Sequence, residues 1–494
     1  MRTRSPSSPA LHSRALRIVA ALALTVPLAR PRAAIADDAL APFGGLPLSK
    51  QDGAIQAGGF VFRPLIAVRT RAEVWSTTPL TVQRAVLAPD AVVSIPSEPD
   101  ALVAERSRIG IAAERGPVSA TITLQDAREF GSPRHAVVSG AAAGAAGGLG
   151  ALGGVFSNVH GLPRFEPYEA YLDLHTASRQ VFFRLGRQEI QLGDGRLVGT
   201  SDSSPTGLTL DAARVGARIK NWDLQAFFAM LEPPSIGEDE SAAGSQLYAA
   251  DVTWRIAPFF GVEVSGLARI TRGTANARLS PSNTFVPWAR VFGDHKGVRY
   301  SVVGAFEAGD VAVVGDVRPH LAGAIAGRFE YHSRLPGKLV FGAEGAFATG
   351  RDPSDTETES AFDPILPDSA LHFGQAGFIG WSNLIEAGAD VGFDVAAPVH
   401  FDVGYEFAGM PEAKGTWFSS ALTPIGSAPD NDSNILGHIV GLGAVIDPIP
   451  QFGFRAEYSA MILGAGGSAI LKKSTGEDPS VIHYGMVEAT GHFP

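Results

Sequence analysis

Cysteine is absent from the 494-residue chain. That excludes a disulfide framework, a thiolate metal site and a cysteine nucleophile. It also suits a chain that crosses an oxidising compartment. Charge is scarce: Asp, Glu, Lys and Arg make up 18% of the residues, against about 25% in ordinary soluble chains. No HExxH or G-x-S-x-G pattern occurs, and the 12 histidines are scattered, so neither zinc-protease nor serine-hydrolase chemistry is legible. Long apolar runs are missing from the mature part. The nearest, Ala136 to Phe156, is uncharged but mostly Gly and Ala. It is too poor in Leu, Ile and Phe to insert as a helix, and reads as a loop. Gly148-Leu149-Gly150-Ala151-Leu152-Gly153 matches G-x-G-x-x-G by letter, but it lies inside that tract instead of between a strand and a helix. Asp430 to Asn434 imitates a calcium loop, yet Ile435 stands where the required glycine belongs. No cofactor or metal is expected, and the chain is not expected to be an enzyme.

What is present begins with an export signal. Arg2, Arg4, Arg14 and Arg17 form a basic start, Ile18 to Leu28 an apolar run, and Ala34-Ile35-Ala36 a small-residue cleavage site. The apolar run is too short to span about 30 Å of hydrocarbon and contains Pro27. Residues 1–36 are therefore expected to be removed, which takes the formal charge from −10 to −16 because six arginines and no acids go with them. So acidic a product does not suit nucleic acid. Residues 37–57 read as a periplasmic lead-in, and 58–494 as a single β-barrel.

Period-two alternation recurs from Gly58 to the C-terminus. Val399, Phe401, Val403, Tyr405 and Phe407 alternate with His400, Asp402, Gly404 and Glu406. Phe452, Phe454, Ala456, Tyr458 and Ile462 oppose Arg455, Glu457 and Ser459. Ala213, Val215, Ala217 and Ile219 oppose Arg214, Arg218 and Lys220, and Val68, Ala72 and Val74 oppose Arg69, Arg71 and Glu73. Arg328, Glu330 and His332 oppose Phe329 and Tyr331. A soluble sandwich shows the same alternation. In a membrane barrel, a lipid-facing Arg or Lys costs roughly 2–4 kcal/mol, so the charged faces must line enclosed water. Connectors are of two kinds: tight, as at Lys220-Asn221, or long, as at Leu87 to Asp100, Phe130 to Leu162, Glu232 to Ser245, Arg272 to Pro287, Arg351 to Ser369 and Pro411 to Asn434. Tight turns on one side and long loops on the other is the outer-membrane pattern, whereas loops of that length count against a compact soluble domain. Val481 to Pro494, with Phe493 near its end, reads as the closing strand.

The densest motif is GRQEIQLGDGR, Gly186 to Arg196, followed by TGLTLDAARV, Thr206 to Val215. Strict alternation puts Arg184 with Gln188 and sets Arg187 and Glu189 on the other face. A bulge at Gly186 would turn both arginines inward, giving a charged belt; the alternative is a strand corner held by ion pairs. These segments, with AVRTRAE at Ala67 to Glu73, LQDAREFG at Leu124 to Gly131, Phe347 to Asp352, AFDPILPD at Ala361 to Asp368 and Gly380 to Leu384, resemble the alginate export family of outer-membrane porins.

The resemblance implies a single antiparallel transmembrane barrel of about 18 strands, an arginine-rich lumen and passage of an anionic polysaccharide. It places Arg69, Arg71, Arg128, Arg184, Arg187 and Arg214 in the pore or at its rim. Alternation adds Glu73, Arg218, Asp402 and Glu406 to the lining. Asp126, Gly186, Gln188, Glu189, Gly193, Asp194, Arg196 and Asp211 are motif positions expected at the rim. The expected partners are outer-membrane lipid, an anionic polysaccharide or small polar solute, and a periplasmic export partner. Two other functions stay open: a general small-solute porin and a non-conducting surface or adhesion barrel.

Overall fold

The computed structural model describes residues 48–76, 100–130, 164–232, 245–272 and 282–493, apart from residues 258, 314, 315, 336, 397, 421, 423 and 477. The expected export signal, most of the lead-in and the Gly/Ala tract lie outside the described residues.

A short β1 (Ile55–Ala57) hairpins onto β2 (Phe60–Trp75). There follow β3 (Asp100–Arg115), β4 (Val118–Phe130), β5 (Arg164–His175), β6 (Val181–Gln188), β7 (Leu210–Ile219), β8 (Trp222–Glu232) and β9 (Ser245–Ala257). Next come β10 (Phe260–Thr271), β11 (Ser282–His295), β12 (Val298–Val313), β13 (Asp316–His332) and β14 (Val340–Ala348), then helix α1 (Ser369–Phe373), β15 (Leu384–Ala396) and β16 (Val399–Gly409). The chain ends with a small hairpin, β17 (Trp417–Phe418) and β18 (Pro424–Gly426), then β19 (Ile435–Ile449), β20 (Phe452–Leu463), helix α2 (Ala465–Thr475) and β21 (Val481–Phe493). Each long strand pairs antiparallel with its neighbours in sequence. β21 closes the ring on β2, from Ile66 opposite Phe493 to Trp75 opposite Tyr484. The result is a closed barrel of 18 strands, so each of those strands has a neighbour on both sides.

The two faces differ as the energetics require. Ile109, Ile122, Leu185, Val264, Ile325, Val403, Phe454 and Val487 are exposed on the outer face. Arg69, Arg71, Arg290, Glu263, Glu307 and Glu406, at the alternate positions, are buried toward the interior. Tight turns at 116–117, 220–221, 296–297 and 450–451 share one end of the barrel. At Lys296-Gly297 both residues have positive φ, 52° and 88°, as a two-residue type I′ hairpin needs. The long connections 189–209, 349–383, 410–434 and 464–480 leave the opposite end. Phe493 packs edge-on against Phe452, with centroids 5.6 Å apart. Sequence reasoning did not find α2, because its apolar content is confined to a face carrying Ile470 and Leu471.

Candidate functional site

Two of the long connections turn back into the barrel. In 189–209, the Leu192 amide donates to the Val198 carbonyl (2.9 Å) and the Gly195 amide to the Leu192 carbonyl (2.9 Å). This closes a turn around Gly193 and Gly195, both left-handed at φ 55° and 83°. A Cβ at Gly193 would stand 2.9 Å from the Trp288 ring and 3.2 Å from the Glu263 carboxylate, so the turn is pressed against the β10–β11 wall. Connection 349–383 pairs with the first. Val198 and Leu366 form a parallel bridge, with Leu366 N to Leu197 O at 3.0 Å and Gly199 N to Leu366 O at 2.9 Å. Ile190, Leu192, Leu197, Val198, Phe362 and Trp381 are almost fully buried between the loops and the wall. Burial of that apolar area stabilises the inward position, at about 25 cal/mol per Å².

The second loop reaches both sides of the lumen. Its Asp363 amide donates to Glu307 on β12 (2.8 Å), and its carboxylate meets Arg269 on β10 (2.8 Å). At the other end Arg71 donates to Gln375 (3.3 Å) and the Trp75 indole to the Ala376 carbonyl (3.4 Å), both from β2. Between them, the His372 Nε2–H donates to the Asp194 carbonyl (2.8 Å) and so ties the two loops together. Burial, helped by nearby Arg196, pushes the His372 imidazole down to about 4, against the opposing pull of Asp194.

Charge is segregated around the ring. Strands β2, β3, β6 and β7 carry inward Arg69, Arg71, Arg106, Arg108, Arg184, Arg214 and Arg218. Strands β13 to β16 carry inward Glu330, Glu344, Glu386, Asp390, Asp402 and Glu406. In a ring of 18, β6 and β7 stand nine strands from β15 and β16, directly across. On the basic side, Arg184 pairs with Asp173 (2.8 Å) and lies 4.3 Å from the Tyr171 ring centre. Arg214 donates to Gln225 (2.6 Å), and Arg218 pairs with Asp223 (2.5 Å). On the acidic side a single guanidinium, Arg328, meets Glu330 (2.9 Å), Glu344 (3.1 Å) and Asp390 (2.9 Å).

The arginines of β2 and β3 are covered by the first loop. Arg69 donates to the Asp202 carbonyl (2.6 Å), Arg71 to the Ser203 carbonyl (2.7 Å) and Arg108 to the Thr206 carbonyl (3.0 Å). The Asp202 carboxylate lies 2.9 Å from both Arg106 and Arg108. Burial works against its charge, but Arg106 and Arg108 outweigh that and hold its pKa at about 2.

Of the residues singled out from sequence, Arg69, Arg71, Glu73, Arg184, Arg214, Arg218, Asp402 and Glu406 face the interior. Gln188 is buried there too, with its amide on the Ala212 carbonyl (3.2 Å). Gly193, Asp194 and Arg196 lie in the inward loop, and Glu189 accepts a bond from Tyr168. Arg187 is a correction. The register of β6 against both β5 and β7 runs through Gly186 unbroken, so Arg187 keeps its parity and sits on the outer face, paired with Asp211 (2.7 Å). The irregularity is on β5, where Tyr168 is skipped between Pro167 and Glu169. Gly186 has φ 122°, and a Cβ there would stand 2.2 Å from the Ala170 carbonyl oxygen; close backbone approach, not a bulge, explains the glycine. Asp126 and Arg128 also lie on the outer face near the long-loop end, paired at 2.9 Å. Sequence reasoning missed Arg106, Arg108, Asp202 and Gln375. The first two repeat the spacing of Arg69 and Arg71, a signal that was available.

A sequence model of the Alginate export family matches residues 96–464. No curated protein matches the chain. Among solved structures, Acinetobacter baumannii OccAB2 is similar with a TM-score of 0.51 at 11% identity, over 87% of this chain and 98% of that one. Pseudomonas aeruginosa OccK5 (OpdH) gives 0.51 at 9% identity, over 87% and 98%. Pseudomonas aeruginosa OccK9 (OpdG) gives 0.50 at 10%, over 88% and 98%. At such identities the likeness is one of fold.

Proposed function

Because the chain belongs to the Alginate export family, we propose that this outer-membrane channel passes an anionic solute, with an anionic polysaccharide such as alginate as the candidate cargo. Family and fold are those of channels, not enzymes. Passage is passive: inward guanidinium groups replace water around each carboxylate, and fixed charge sets selectivity. The observation that carries the reading is the arginine wall of β6 and β7, where Arg184 and Arg214 face the interior. Guanidinium groups suit this work because they stay charged and pair with carboxylates in a bidentate fork. Planar-bilayer reversal potentials under a salt gradient test it. We expect anion preference, reduced in Arg214→Ala; cation preference in the native channel would sink it.

A general small-solute porin is the second reading. The acidic wall directly across from the arginines favours it, because two opposed walls can cancel in net selectivity. A reversal potential near zero in native protein would support this reading over the first.

A further inference from the structure

The arch of the first inward loop, residues 202–206, presents to β2 and β3 the groups a carboxylated sugar chain would present: one carboxylate and a row of carbonyl oxygens. Ser201 (φ 44°) and Gly207 (φ 72°) bracket the arch in left-handed conformations. A Cβ at Gly207 would stand 2.7 Å from both the Arg108 guanidinium and the Tyr168 hydroxyl, so the arch lies as close to the wall as backbone can. The Asp202 side chain is nonetheless 53% exposed although two guanidinium groups hold it. Arg71 keeps Glu73 and Glu488 as separate partners. For the β3 pair, Arg106 and Arg108, the bridging carboxylate is that of Asp202.

We propose that Asp202 is a tethered competitor for a carboxylate-binding site formed by Arg106 and Arg108 together with Arg69, and that a uronate chain enters by displacing it. This rests on the anionic-solute reading above and adds how the site is kept occupied at rest. Incoming carboxylates take the same guanidinium forks, and the arch swings off the wall about Ser201 and Gly207. Its link to the second loop at the hinge, Ser201 Oγ to the Pro367 carbonyl (3.1 Å), keeps the loop inside the barrel, while the longer Ser203 Oγ–Asp368 bond (3.3 Å) parts as the arch swings. Linkage requires that whatever frees the arch also raises apparent affinity for the carboxylate, by the same factor.

The absence of cysteine makes a direct test available. In Ser203→Cys the new thiol is the chain's only one, and its alkylation rate reports whether the arch is docked. Purified, heat-modifiable barrel is mixed with a sodium oligouronate, or with a neutral oligosaccharide of equal length. The oligouronate is expected to speed alkylation on the order of 5-fold or more, and the neutral chain to leave it unchanged. Adding Asp202→Asn, close in size and at a largely exposed side chain, should give the fast rate without ligand and abolish the response. Equal rates with both oligosaccharides, or a slow rate in the Asp202→Asn variant, would overturn the proposal. Reversal potentials report on the anionic-solute reading independently. A channel that prefers anions but whose arch never responds defeats only the displacement step.

Discussion

The two charged walls of the lumen solve the same problem differently. On β2 and β3, cations are in excess and are covered by a loop that brings carbonyl oxygens and one carboxylate. On β13 to β15, carboxylates are in excess and converge on one guanidinium supplied by the wall itself. At Arg106 and Arg108 the basic wall therefore depends on a carboxylate from a loop, whereas the acidic wall depends on a guanidinium of its own strand. Neutralisation by a segment can be exchanged for a solute; neutralisation by a strand residue cannot.

The largest effect that separates the walls is expected from Arg328→Ala. It removes the guanidinium that Glu330, Glu344 and Asp390 share in a semi-enclosed space, leaving Glu330 with His332 and Arg299, and removing one partner of a buried charge cluster costs about 3–5 kcal/mol. The variant should unfold at lower temperature in heat-modifiability gels, with partial recovery on acidification as the carboxylates neutralise. Asp202→Asn, by contrast, should leave the melting temperature nearly unchanged. If both variants melt alike, the distinction between the walls is void.

A middle-sized effect concerns the loops that lie between the walls. The His372 imidazole is ordinarily near 6.5 but is held at about 4 in the folded protein. A base depressed in the fold binds its proton more readily when unfolded, so stability rises with pH in that interval. The contribution is complete above 6.5 and is lost as pH falls toward 4. Protonation would bury a positive charge beside Arg196, a cost that opening of the loops relieves. Protease sensitivity of the inward loops should therefore increase between pH 6.5 and 4, by up to about 3 kcal/mol of local opening. His372→Gln, which retains a donor without titrating, should flatten the profile.

How much of this was legible in the sequence follows from the range of the forces involved. Period-two alternation is a local property, so the faces of Arg69, Arg71, Arg214, Asp402 and Glu406 could be read from a few neighbours each. The inward loops could not. The apolar residues Leu197 and Val198 find their partner in Leu366, far along the chain, and nothing near them announces it. The GDGR residues were legible as motif positions at the rim but not as a segment pressed on Trp288. Arg106 and Arg108 were legible in principle, since they alternate as Arg69 and Arg71 do.

The smallest expected effect tests the finest contrast, three residues apart on β6. Arg184 faces the interior and pairs with Asp173, which is almost fully buried; Arg187 faces outward and shares a half-exposed pair with Asp211. An exposed ion pair contributes about 0–1 kcal/mol, so Arg187→Ala should change the melting temperature little. It should leave the reversal potential untouched, because its charge is separated from the lumen by the sheet. Arg184→Ala removes a cation from the interior and should move the reversal potential away from anion preference. A bulge at Gly186 would make the two variants equivalent in selectivity. Unequal shifts in paired bilayer recordings would instead follow from the unbroken register of β6 against β5 and β7.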